Sequence, residues 1–164
     1  MKLEELVEKV KESEDNWICL TGGEPLLQRE AREFAIRAGE IGKKILLETS
    51  GSISIKEFVT LENVVIDMDV KTPSSGEENS IELENLHLLR PVDYIKFVIQ
   101  DETDYEYASS FLEDHKAEIQ CDIVLQPAWG TDMKWLTERV LDDKLKVRVL
   151  PQLHKLIWGE IPGV

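Results

Sequence analysis

The chain has 164 residues, of which 42% are hydrophobic and 32% charged, and its formal net charge is −14. That length fits one domain, residues 1–164, with a core of ordinary size and a well-solvated exterior. A field so negative repels phosphate backbones, which excludes direct nucleic-acid binding, and no run of residues is long and apolar enough to span a bilayer. The two cysteines, Cys19 and Cys121, exclude a disulfide framework. Each lies in a strand-like apolar run and is expected to be a buried core thiol. The opening Met1-Lys2-Leu3-Glu4-Glu5 lacks a signal-peptide pattern, so the expected compartment is the cytoplasm.

Leu3, Leu6, Val7 and Val10 recur at helical spacing and predict an amphipathic first helix. A strand follows at Trp17 to Leu20, broken by Thr21-Gly22-Gly23-Glu24-Pro25. Pro25 suits the first position of a second helix, whose apolar face is Ala31, Phe34, Ala35 and Ala38, with Gly42 closing it. The next strands are Ile45-Leu46-Leu47, ending in Glu48-Thr49-Ser50-Gly51, and Val64 to Lys71, ending in Thr72-Pro73-Ser74-Ser75-Gly76. A short helix around Ile81 to Leu89 precedes a strand from Tyr94 to Ile99. A helix from Asp101 to Asp114, a strand from Cys121 to Leu125, a helix from about Asp132 to Leu141 and a last strand from Lys146 to Leu150 complete the order. Near-continuous apolar strands alternating with amphipathic helices give an α/β class with a mostly parallel sheet of about six strands covered by helices, either an open sheet or a barrel.

In parallel α/β folds the ligand site lies beyond the carboxyl ends of the strands. Those ends carry Thr21 to Pro25, Glu48 to Ser52, Asp69 to Ser75, Gln100, Gln126-Pro127 and Gln152 to His154. They can frame a small polar ligand, or they are polar only because loops are. Gly22-Gly23 leaves a bare backbone at a strand-to-helix turn. Glu24 either caps the next helix or meets a ligand ammonium, the cap being the commoner fate. Strand alternation places Asp67, Asp69 and Lys71 on one face, where they are expected to pair with one another; Lys96 is either the partner of an acid on a neighbouring strand or a ligand contact. Among the histidines, His154 stands near the end of the last strand, whereas His87 and His115 fall on helices. For Trp129, Trp135 and Trp158 core packing is the commoner fate, and stacking on a heterocycle is the alternative.

Six segments, in order, resemble the radical S-adenosylmethionine superfamily and within it the 7-carboxy-7-deazaguanine synthases. They are Thr21 to Gln28, Glu48 to Gly51, Asp67-Met68-Asp69-Val70-Lys71-Thr72-Pro73-Ser74-Ser75-Gly76, Tyr94 to Ile99, Leu125-Gln126-Pro127 and Gln152-Leu153-His154-Lys155. The resemblance implies a partial TIM-like barrel and a cofactor, S-adenosylmethionine, held by Gly22, Gly23, Glu24, Ser50, Lys71 and Ser74. A small-molecule pterin would face Glu48, Thr49, Gln126 and His154, with the terminal carboxylate of Val164 at the ring edge. The implied reaction is reductive cleavage of the cofactor by a 4Fe-4S cluster and magnesium-assisted ring contraction of 6-carboxy-5,6,7,8-tetrahydropterin to 7-carboxy-7-deazaguanine. That product is a queuosine and archaeosine precursor, and the cofactor supplies the chemistry.

Family members carry a Cys-x-x-x-Cys-x-x-Cys segment, after a first strand, that holds the cluster and stands beside the magnesium ligand. This sequence has only Cys19 and Cys121, too few for cluster ligation. The expectation is therefore a domain lacking its first strand and cluster segment, with no catalytic or metal-ligating residue assigned and no radical chemistry by this chain alone. An exposed edge on the strand from Trp17 suggests a homodimer. The alternative function is a cluster-free accessory or ligand-binding protein derived from that family.

Overall fold

Side-chain alternation in six short strands decides how this chain folds. In a computed structural model, which describes residues 2–161, the strands are β1 (Trp17–Leu20), β2 (Lys44–Thr49), β3 (Val64–Asp69), β4 (Tyr94–Ile99), β5 (Asp122–Pro127) and β6 (Arg148–Val149). They form one sheet in the order β1-β2-β3-β4-β5-β6, every neighbouring pair parallel. Helix α1 (Leu3–Glu12) precedes β1, and α2 (Ala31–Glu40), α3 (Glu84–Leu88), α4 (Glu102–Asp114) and α5 (Met133–Asp142) lie in the crossovers from β1 to β2, β3 to β4, β4 to β5 and β5 to β6. A sixth, α6 (Leu153–Trp158), follows the last strand.

One face of the sheet is apolar and covered. Ile45, Leu47, Val64, Ile66, Met68, Ile95, Phe97, Ile99 and Leu125 are buried with Phe34, Ala35 and Ala38 of α2, Tyr105, Ala108 and Phe111 of α4 and Leu136 of α5. The intervening side chains point the other way, among them Cys19, Leu46, Val65, Glu48, Asp67, Asp69, Tyr94, Lys96, Val98, Val124 and Gln126. In a flat sheet β2 and β6 would stand about 19 Å apart. Instead Glu48 of β2 and His154 of α6 line one cleft, so the sheet curls round its polar face, the geometry of a partial barrel.

Buried polar side chains fix the loops at both ends. Arg90 donates to the carbonyls of Val59, Leu61 and Val64 and pairs with the fully buried Asp93, which accepts the Ile66 N–H at 2.9 Å. At the carboxyl ends, Asn85 donates to the carbonyls of Gly51 and Ile53 and accepts the Ile55 N–H, while buried Asp104 accepts the N–H groups of Ser74 and Gln100 at 2.9 Å each. These contacts hold the loops after β2, β3 and β4 against the helix layer, which buried donors and acceptors enforce because leaving them unmade is costly.

Several sequence expectations are corrected here. Pro25 starts a 3-10 turn (Pro25–Leu27), not α2; the chain turns again at Gln28 before Ala31. The last strand shortens to Arg148–Val149, and the chain then enters α6, so His154 lies on a helix. Leu153, Leu156 and Ile157 of α6 stay exposed. Cys19 is exposed on the polar face and is not a core thiol, whereas Cys121, just before β5, is half-buried and packs against the core. Trp129 and Trp158 are also exposed, whereas Trp135 packs edge-on against Tyr105.

Gly51 follows β2 with φ +72, and a Cβ there would stand 2.8 Å from Met68 Sδ. Both the left-handed backbone and the contact exclude a side chain. Gly51→Ala is expected to lower stability by about 2–4 kcal/mol, read as a lower urea midpoint with an unchanged slope.

Candidate functional site

The rim at the carboxyl ends of the strands is built from three adjoining recesses. The first, about 470 Å³, lies between α1 and the turn after β1 and is lined by Leu3, Leu6, Gly22, Gly23, Glu24 and Phe34 among others. The second, about 400 Å³, is the cleft on the polar face, with Glu48, Asp67, Asp69, Lys96, Gln126 and His154 in its walls. The third, about 230 Å³, is framed by Lys71, Thr72, Ser74 and Gln100. The Thr21 hydroxyl donates to Glu48 at 3.1 Å and joins the first recess to the cleft; Asp69 and Val98 line both the cleft and the third recess.

Glu24 organises the entrance. Its carboxylate caps the 3-10 turn by accepting the Leu26 N–H at 3.1 Å. It also accepts the Thr49 hydroxyl at 2.9 Å, the Ser50 N–H at 2.9 Å and the Ser50 hydroxyl at 2.7 Å. The cap reading of Glu24 therefore holds, and the same carboxylate ties the ends of β1 and β2. Gly22, at φ +153, and Gly23 present bare backbone, and a Cβ at either would meet nothing within 4 Å. A ligand can thus approach that turn closely.

The remaining sequence candidates divide. Glu48, Gln126 and His154 line the cleft, and Lys71 and Ser74 line the third recess. Gln126 and Gln152 brace β5 against the chain after β6, donating to the Pro151 carbonyl at 3.5 Å and the Pro127 carbonyl at 3.3 Å. Thr49 is buried beneath the rim on Glu24 and does not open onto the cleft, while the Ser50 hydroxyl is engaged with Glu24 and Ser52. Val164 lies outside the described residues.

Lysine pairing divides as well. Lys71 meets Asp69 at 2.8 Å, as alternation suggests, but Asp67 pairs across the strands with Lys96 at 3.0 Å. Burial raises the Asp67 carboxyl above the usual range; Lys96 opposes the shift, and Glu48 and Asp69 add to it. Burial also works against the Lys96 ammonium, but the carboxylates of Asp67, Asp69 and Glu48 outweigh it and leave Lys96 above its ordinary value. Cys19 is pushed up to about 11, first by loss of water and then by Glu48, so it is a thiol at neutral pH. Asp67, Asp69, Lys96 and Tyr94 line the cleft, and the resemblance assigned none of them to a ligand. The polar parity of β3 and β4 was the signal for the first three.

Cys19 and Cys121 sit on different strands' margins, and among the described residues no group of three His, Cys, Asp or Glu side chains is placed to hold a metal ion. These residues therefore do not make an iron–sulfur or magnesium site. Nor is any helix among them long and apolar enough to cross a membrane. Glu24→Gln leaves one oxygen and turns an NH₂ toward donors that it cannot accept from. It is expected to cost about 1–3 kcal/mol and to speed amide exchange at Ser50, measured by NMR.

Comparison with known proteins fits this geometry. No protein-family model matches the chain. It is 44% identical over 162 residues to the 7-carboxy-7-deazaguanine synthase of Thermoplasma acidophilum, covering 99% of this chain and 77% of that protein. To the 7-carboxy-7-deazaguanine synthase of Koribacter versatilis it is 41% identical over 161 residues, covering 88% of this chain and 70% of that one. The fold superposes on the crystal structure of QueE from Escherichia coli with a TM-score of 0.72 at 18% identity, over 93% of this chain and 64% of that chain. It superposes on Streptococcus suis SuiB bound to S-adenosylmethionine with a TM-score of 0.63 at 13% identity, over 98% of this chain and 45% of that one. With the sequence identity spread over nearly its whole length and a fold shared with QueE beneath it, the chain belongs to the 7-carboxy-7-deazaguanine synthase family.

Proposed function

We propose that this chain carries the ligand-binding rim of a radical S-adenosylmethionine enzyme that makes 7-carboxy-7-deazaguanine from a carboxylated tetrahydropterin. The observation that carries the reading is the continuity of the rim. The Thr21–Glu48 and Glu24–Ser50 bonds and the shared wall at Asp69 join the ends of β1, β2 and β3, and Gln126 and His154 close the far side. Relatives that span more residues than this chain carry that name.

In this reading the Gly22-Gly23 turn takes the methionyl end of S-adenosylmethionine, where bare backbone admits an ammonium, and Lys71 and Ser74 line its carboxylate and ribose. Bound there, the cofactor supplies an adenosyl group to the cleft. The chain's own residues bind, orient and exclude water. Glu48, Gln126 and His154 face the pterin, offering an anion, an amide and an imidazole to a ring rich in donors and acceptors. Thr49 contributes indirectly, by holding Glu24. No step through a cluster is assigned to these residues.

The two-cysteine composition and the absence of a metal-ligating group among the described residues also favour a second reading, a protein that binds these ligands without redox chemistry. Calorimetry separates the two from an unrelated role. The chain is expected to bind 7-carboxy-7-deazaguanine with a dissociation constant on the order of micromolar, and Gln126→Ala and His154→Ala are each expected to weaken it about ten-fold; no heat with any pterin, deazaguanine or adenosyl ligand would contradict both readings. Incubation with iron and sulfide is expected to give no stable 4Fe-4S absorption. A stable cluster spectrum on this chain would contradict the assignment of cluster chemistry away from these residues.

A further inference from the structure

The floor of the cleft holds three carboxylates, Glu48, Asp67 and Asp69, against one lysine, Lys96. Lys96 Nζ fixes one oxygen of Asp67 at 3.0 Å, and Lys71 Nζ fixes one oxygen of Asp69 at 2.8 Å. The second oxygen of each is buried and has no hydrogen-bond partner among the described residues; Asp67 as a whole is 8% exposed. An unmet acceptor in such a place is costly unless something donates to it. Its strand neighbours offer little relief. Glu48, directly across from Asp67, is itself an acceptor and already takes the Thr21 hydroxyl.

We propose that Asp67 is a ligand-binding residue of the cleft: Lys96 pins one oxygen, and the other accepts an N–H from a flat, nitrogen-rich heterocycle of the lactam–amidine kind. Lys96 is then a positioning residue. The inference rests on the reading that this cleft takes such a ring. A metal ion is a poorer match than an N–H, because Lys96 already occupies one carboxylate oxygen and no third metal-ligating group is in place among the described residues. Surplus carboxylate also favours a donor edge over an acceptor edge.

Titration calorimetry with 7-deazaguanine and its N1,N2,N2-trimethyl derivative, which has no N–H on the lactam–amidine edge, tests the donor contact. Wild type is expected to prefer the unmethylated ring by about ten-fold or more, Asp67→Asn to compress that preference to about two-fold, and Lys96→Met to fall between. A carboxylate that merely supports the fold would change both affinities together and leave the preference intact, which would overturn the inference while sparing the reading of the cleft. Failure of the wild type to bind either ring would overturn both. Carbon-detected NMR of the wild type needs no variant: saturation with 7-deazaguanine is expected to shift the Asp67 carboxyl resonance, and an unmoved resonance would contradict the contact.

Discussion

One carboxylate ties the rim together. Glu24 takes donors from its own turn and from the end of β2, so the backbone after β1 and the backbone after β2 are placed relative to each other by a half-buried anion and not by strand pairing alone. Charge-assisted hydrogen bonds of that kind are short and directional. The Gly22-Gly23 turn can therefore be both bare and well positioned, the combination that a closely approaching ligand needs.

From that anchor the polarity of the molecule follows in a simple sense. One side of the sheet is sealed by α2, α4 and α5, and the other is left for charge. Strand parity alone puts Glu48, Asp67, Asp69 and Lys96 on the open side, and parallel register sets Glu48 beside Asp67 and Asp69 beside Lys96. Curling of the sheet then turns a polar face into a cleft. Buried Asn85 and Asp104 hold the loops from behind, so the polar groups stand on loops fixed to the helix layer.

Much of this was legible in the sequence. Apolar runs with helical intervals specify the parallel sheet, and Asp101 announces α4, whose first turn it caps. The strand-end motifs mark the rim. What stayed hidden depends on contacts between distant residues. Thr49 shares the inward parity of Ile45 and Leu47, and what the sequence did not show is its bond to Glu24, twenty-five positions earlier in the chain. The openness of Cys19 comes from its place on the uncovered face of β1, the strand at one end of the sheet, which local hydrophobicity cannot report. Helix α6 keeps the apolar residues of its period exposed, so the usual meaning of that period does not apply. The register sets Lys96 beside Asp69, so its diagonal pairing with Asp67 depends on side-chain geometry that neither alternation nor register specifies.

The central claim is that loops from the first strand to the last form a single ligand rim. Hydrogen–deuterium exchange with 7-carboxy-7-deazaguanine and S-adenosylmethionine added together tests it most directly. A shared rim requires slower exchange in residues 21–24, 48–51, 69–76, 126–128 and 152–155 in the same experiment. Protection confined to the opposite end of the strands, in residues 13–16, 60–64 and 115–121, would contradict it.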